Sequence, residues 1–453
     1  MRRVLLSVLA PALVVAALIA PGTSQAFTTQ VQCGDVVTQD VKLAGDLTDC
    51  PRDGLVIGAD DIAVDLNGHT IDGVSPATTD CGGTPFGPSG INDDGGFDDI
   101  TVRNGTVKEF LHGLEGGFGD SRLTHLVLRD NIFSGISIGS MDPEDNLDNN
   151  KIDHNVVDGN PCGGGIAITV SHGSVIDHNR VTNLQDEEAG AINLVTGGGN
   201  RVTHNWLAGN AGDGIALFFD ANSNRIEHNT ITDGGGGILL LGPASDNQIR
   251  HNYIARIQNG GIVIETADFA PGTPTGNEID RNCLVSTADG IILFEAASAE
   301  VTRNSVRGAG SFGDPTAIGF GIILDGVSDS LVSRNSVFGA RGPAISVGAA
   351  PDENPSSLTP TGNVLSRNTS TGNDVDGIRV LAVAQDTLLK RNTANRNGDD
   401  GIDVESSTTT LTRNTANDNG DLGIEAVPGV IDGGKNKARG NGNPAQCTNV
   451  VCR

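Results

Sequence analysis

In eleven successive coils the repeat asparagine is directly preceded by a basic residue: His154, His178, His204, His228, His251, Arg281, Arg303, Arg334, Arg367, Arg391 and Arg413. Imidazoles titrate near neutral pH and ligate transition metals, whereas guanidinium groups pair with carboxylates. The residue before each is often acidic or hydroxyl-bearing, as at Asp153, Asp177, Thr203, Glu227, Asp280, Thr302 and Ser333. Three chemistries are open to such a column. It is a solvated charge ladder, a basic track for an acidic polysaccharide, or a place where neighbouring imidazoles capture a metal. The sole Trp and the sole Tyr, Trp206 and Tyr253, each follow a repeat asparagine. Beside His204, His228 and His251 they form the patch best suited to stacking on sugar rings. Asp220, Glu265, Glu295 and Asp325 follow apolar runs and lie among Phe218, Phe219 and Phe294. Paired carboxylates serve as acid and base toward glycosidic bonds or cradle Ca²⁺ for a lyase, with Arg281 or Arg303 as the base. The same positions also suit ordinary solvated strand ends.

The elements that position these residues come from repetition. The asparagines recur at steps of 22 residues (Asn282 to Asn304) to 33 (Asn335 to Asn368). Between them lies a second phrase, Gly-Ile, at Gly135-Ile136, Gly165-Ile166, Gly214-Ile215, Gly237-Ile238 and onward to Gly423-Ile424. Apolar residues alternate after it, as in Ile402-Asp403-Val404. That is the period of a strand with one buried face, in stretches too short and too rich in Gly and Asn for helix. A coil of this length, built of short strands and stacked at ~4.8 Å, is a parallel β-helix. About fourteen coils between Asn104 and Asn436 make a rod of ~65 Å. The asparagine fits the bend, since it tolerates left-handed backbone and its amide can bond to the next coil's.

On these residues the protein resembles the right-handed parallel β-helix superfamily that includes pectate lyases. It is most similar to secreted bacterial proteins carrying the carbohydrate-binding and sugar-hydrolase type repeat. The resemblance runs from about Leu55 to Asn443 and implies an all-β fold more firmly than any activity. The pectin-cleaving hydrolases of this fold carry Asn-Thr-Asp and Arg-Ile-Lys, which are absent here. Asp98-Asp99, Asp399-Asp400, His112-Gly113 and His172-Gly173 occur without that framework. The epimerase motif Asp-Pro-His-Asp has only Asp142-Pro143-Glu144-Asp145 as a near match. A lyase needs residues that no local motif identifies.

Met1-Arg2-Arg3, an apolar run to Ala20 and Ser24-Gln25-Ala26 read as a secretory signal over residues 1–26. A cap segment over 27–54, the β-helix over 55–443 and a tail over 444–453 follow. The formal net charge of −27 repels nucleic acid and anionic membranes. Seven cysteines suit an oxidising compartment. Cys33 with Cys50, and Cys447 with Cys452, are expected to staple the two ends. Cys81 and Cys162 are candidates for a third bridge that leaves Cys283 alone, a pairing the sequence leaves open. Insertions at Gly139–Asn149, Ala267–Gly276, Gly348–Gly362 and Ser305–Phe320 mark where a cleft would form. The expectation is a secreted or cell-surface monomer that binds extracellular polysaccharide or acts as a structural cell-surface module, without catalysis and without a membrane or nucleic-acid partner. The alternative is a lyase acting on a uronate-containing glycan. The sequence assigns no cofactor; Ca²⁺ is the candidate, at acidic turns such as Asp186-Glu187-Glu188 and Gly398-Asp399-Asp400.

Overall fold

The computed structural model describes residues 28–75, 81, 87–139, 146–267, 269–310, 312, 318–348 and 356–453. The signal segment, the Asp142-Pro143-Glu144-Asp145 stretch and parts of three insertions lie outside them. Among the described residues every element is a strand, and the strand-to-strand pairings are parallel. One coil shows the plan. Val175–Asp177, Arg180–Thr182 and Ile192–Val195 each pair in register with the equivalent strand of the next coil: Arg201–Thr203, Trp206–Ala208 and Asp213–Phe218. Repetition produces three parallel sheets, here called first, second and third in sequence order, wound as a right-handed β-helix.

The core is a set of aliphatic files. Ile176, Val202, Ile226, Ile249 and Ile279 are fully buried along the first sheet. Val181, Leu207, Ile231, Ile254 and Leu284 follow the second, and Leu194, Leu217, Leu240, Ile264 and Leu293 the third. Each of these aliphatic groups contributes ~2 kcal/mol of transfer free energy. The recurrent Gly of Gly-Ile stands where successive coils nearly touch. A Cβ on Gly237 would lie 2.0 Å from the Gly261 carbonyl oxygen, and one on Gly290 2.2 Å from that of Gly321.

The bend before the second sheet differs from its sequence expectation. The left-handed residue is the basic one, with φ of 59° at His154, 54° at His178 and 58° at Arg303. The asparagine after it points inward and is about 1% exposed. Asn155 Nδ2 donates to Asn179 Oδ1 (3.1 Å), and the backbone N–H of Asn155 donates to the same oxygen (3.0 Å). The relay continues through Asn205, Asn229, Asn252, Asn282, Asn304, Asn335, Asn368, Asn392 and Asn414 to Asn436. The second Nδ2 hydrogen reaches a backbone carbonyl, as from Asn282 to Ile249 (2.9 Å). A buried amide needs several partners, and only an identical neighbour one coil away supplies them at this pitch. The bend strain falls on the residue whose polar group remains in water. A shorter amide file runs through Asn373, Asn397, Asn419 and Asn441.

Disulfides join Cys33 to Cys50, Cys81 to Cys162 and Cys447 to Cys452, and Cys283 is free. The first and last pin the ends of the rod, where an open sheet edge would otherwise pair with other molecules.

Candidate functional site

The second sheet carries the aromatic column. Arg180, Trp206, Thr230, Tyr253 and Cys283 are register partners in successive coils. Trp206 and Tyr253 are each 41% exposed, and two coils place them ~10 Å apart. The Arg180 guanidinium carbon sits 4.4 Å from the Trp206 ring centroid, which fixes the indole against the sheet. His204, His228 and His251 stand two residues before Trp206, Thr230 and Tyr253 and border the same face.

Around the next corner the same coils form a concavity of about 670 Å³. Gln185, Glu187, Glu188, Asn210, Gln258 and Asn259 supply its polar groups. Asp233, at its rim, accepts both Arg256 Nε and Nη2 at 2.5 Å. Those bonds hold the Asp233 carboxyl below its ordinary range. With Arg256 engaged in this way, Glu187 and Glu188 leave the hollow acidic.

The histidines form a continuous stack. His125, His154, His178, His204, His228 and His251 have successive ring centroids 4.9–5.2 Å apart and interplanar angles of 1–14°. His125 heads the column but lacks a following asparagine, so the repeat phrase does not reveal it. Buried Asp153 accepts Arg122 Nε (3.0 Å) and Nη2 (2.9 Å), and His154 Nδ1 lies 3.0 Å from it. Burial alone would raise this carboxyl, but the bonds from Arg122 and His154 outweigh it and hold it low. Asp280 is buried too and is likewise held low by Arg303 (2.6 Å) and Thr302, with Arg281 at 2.9 Å.

The outer face of the third sheet is apolar at mid-rod: Ala216, Leu239, Val263, Ile292 and Ile323 are successive register partners. Described residues of three insertions, Phe269, Phe320 and Ser356, lie along it or at its outgoing end. Phe269 meets Phe219 edge-on at 6.0 Å, and Phe320 packs on Ile323 and Ile292. Ser356 donates to Glu295 Oε1 (2.8 Å) and, through its backbone N–H, to Asp325 Oδ2 (3.1 Å). Half-buried Asp213 is pushed up to about 6 by burial and then by the Glu265 carboxylate. Burial also raises Glu265, and burial with the neighbouring Glu295 raises Asp325. Asp220 is exposed beside Phe219.

The five residues picked out for catalysis therefore divide between two places. Glu265 and Glu295 lie at the outgoing end of the third sheet, whereas Arg281 and Arg303 lie at the bend before the second and bind Asp280. Asp213, which sequence reasoning passed over, is the group electrostatically coupled to Glu265. Its only sequence signal was an acidic residue preceding a Gly-Ile phrase.

Farther along, the third sheet becomes densely acidic. Arg379 donates to Glu405 (2.7 Å) and lies 3.5 Å from Asp403. Burial, then Asp376 and Glu405, push Asp403 up to about 7. Burial and a carboxyl–carboxylate bond with Glu425 push Asp400 up to about 8. Oxygens of Asp400, Asp403 and Glu425 lie within 4.8 Å of one another, as do those of Asp399, Asp400 and Asp421. These are the groups able to meet the Ca²⁺ expectation.

A family model described as "Right handed beta helix region" matches residues 89–254, 134–306, 244–381 and 289–448. The protein belongs to the right-handed β-helix family. No curated protein matches it. Among solved structures, it is similar to the periplasmic alginate epimerase AlgG at 11% identity, covering 78% of this protein and 76% of that one with a TM-score of 0.45. A tailspike protein mutant of E. coli bacteriophage HK620, in complex with a pentasaccharide, is 15% identical; the match covers 87% of this protein and 73% of the tailspike, with a TM-score of 0.48. Within this β-helix family the shared property is the coil, and activity rests on the side groups each coil presents. The three disulfides place the protein outside the reducing cytoplasm, in an extracellular or periplasmic setting. No helix among the described residues is long and apolar enough to cross a membrane.

Proposed function

We propose that this β-helix is a secreted or cell-surface, monomeric, non-catalytic polysaccharide-binding module. Its glycan lies across Trp206 and Tyr253 and turns into the hollow formed by the next corner. The observation that carries the reading is the pair of half-exposed rings held in one column, with an amide-rich concavity in the same coils. Rings stack on the apolar faces of sugars, and the amides of Gln185, Asn210, Gln258 and Asn259 suit hydroxyl groups. Glu187, Glu188 and the neutralised Asp233–Arg256 pair favour a neutral glycan over a uronate polymer. Trp206 is the only indole, so its fluorescence reports directly. Neutral glycans are expected to shift that emission saturably and uronate glycans to do so weakly. No response to any glycan, or a response unchanged by Tyr253→Ala, would refute the reading.

A lyase is the second reading, supported by the raised Asp213 and Glu265 carboxyls on the sheet with the apolar outer face. Incubation with uronate polysaccharides and Ca²⁺, followed by absorbance of unsaturated ends, tests it. Absence of any rise eliminates it for those glycans.

A further inference from the structure

Asp177 is partnered differently from the other two aspartates of the column, Asp153 and Asp280. Asp153 is neutralised by Arg122, with Lys151 nearby at 3.9 Å. Asp280 is neutralised by Arg281 and Arg303. Among the described residues, the ion pairs of Asp177 are with imidazoles only: His178 Nδ1 at 2.8 Å from Oδ2 and His204 Nδ1 at 3.4 Å from Oδ1. Asp177 Oδ1 is buried and has no hydrogen-bond partner. The two rings it faces come from consecutive coils. They are the closest pair in the stack at 4.9 Å and the most tilted at 14°. A carboxylate with a bare oxygen, faced by two imidazoles and by no guanidinium or ammonium group, has room for a cation.

We infer that Asp177, His178 and His204 bind one borderline divalent transition-metal ion of the Zn²⁺, Ni²⁺ or Cu²⁺ class. Two imidazole nitrogens and one carboxylate oxygen are a common set for such ions and a poor one for Ca²⁺, which takes six to eight oxygens. One donor atom from each residue lies within 4.8 Å of the others. A tetrahedral ion with ligand bonds of ~2.1 Å needs donors about 3.4 Å apart; His178 Nδ1 lies 2.8 Å from one Asp177 oxygen and His204 Nδ1 3.4 Å from the other, so small side-chain movements bring one donor from each residue to that spacing. Thr203 Oγ1, now 2.9 Å from His204 Nδ1, gives up that contact when the nitrogen ligates. Both rings are about half exposed, so an ion enters from solvent and keeps water in its remaining positions. A net charge of −27 draws cations to the surface.

The experiment is a titration of the tag-free mature protein with Co²⁺, read by its visible absorption bands, followed by displacement with Zn²⁺. One Co²⁺ per molecule is expected, displaced by Zn²⁺ and not by millimolar Ca²⁺. Asp177→Asn, His178→Asn and His204→Asn should each weaken binding at least tenfold. Asparagine tolerates the left-handed backbone at positions 178 and 204, so the bend survives. An unchanged melting curve without metal confirms that each variant is folded. His251→Asn, in the same stack but distant from Asp177, should bind as wild type does. Failure to take up Co²⁺, unchanged affinity in Asp177→Asn, or equal loss in His251→Asn each overturns the site.

Discussion

Replacing Asp403 with asparagine should stabilise the C-terminal coils at alkaline pH and do nothing at acid pH. In the folded protein this carboxyl is held at about 7 rather than 3.8, because it is buried and faces Asp376 and Glu405, while Arg379 only partly offsets them. A folded value above the unfolded one means that the contribution to stability is complete below about pH 4 and disappears as the pH climbs through 7. Roughly three units at about 1.36 kcal/mol each give a cost of up to about 4 kcal/mol at pH 8. Asparagine is isosteric and carries no charge, so the variant escapes that cost. A solenoid opens locally from its ends, and hydrogen exchange of backbone amides in residues 376–426 is the direct measurement. At pH 8 the variant should exchange more slowly than wild type, by up to about a thousandfold (4 kcal/mol). At pH 4 the two should coincide. Equal differences at both values of pH, or faster exchange in the variant at pH 8, would refute the argument. Asp400, held at about 8 against Glu425, extends the same sensitivity to higher pH.

Trp206→Ala should reduce glycan affinity at least tenfold with little change in melting temperature, since the indole is half exposed; isothermal calorimetry and a melting curve check both halves. Asn282→Ala should lower stability by about 2–3 kcal/mol, measured by urea unfolding, because it strands the fully buried amide of Asn252 on one side and removes a donor from the side-chain oxygen of Asn304 on the other. Reduction of the Cys447–Cys452 bridge should speed exchange in the last coils and leave residues 150–300 untouched, since each coil contacts chiefly its neighbours.

The coil was legible because it is written many times over. A single Ile-Asp-His-Asn says little, but its return at a near-constant step fixes the strand, the bend and the inward file together. The role of the bend residue was misread for an instructive reason. Asparagine and histidine both tolerate left-handed backbone, so adjacency alone cannot tell which one occupies it. The structure gives that geometry even to Arg281, Arg303 and Arg334, since a buried amide file can be built only from the inward residue. Candidate-site residues were less legible. Columns follow from the repeat, which is why Trp206 and Tyr253 align as expected. Neighbours across coils that differ in length do not. Asp213 meets the field of Glu265 only through the lateral arrangement of two coils, and Ser356 reaches Glu295 from an insertion 61 residues away. His125 escaped because Leu126 stands where the asparagine would be.

The buried amide file has a direction. In each relay bond the donating N–H points toward the next coil and the accepting C=O toward the one before, so the small dipoles add along the axis and the two tips of the rod are electrically unlike. At the C-terminal tip the last amide, Asn436, has no further asparagine to meet and donates to Asp432 Oδ1 at 3.2 Å. The parallel file closes on Gln446, which accepts from Asn441 Nδ2 at 2.9 Å. A carboxylate and a longer amide thus terminate two polar wires that would otherwise present hungry donors to the start of another rod. The polypeptide can gain or lose whole coils in its interior without disturbing this arrangement.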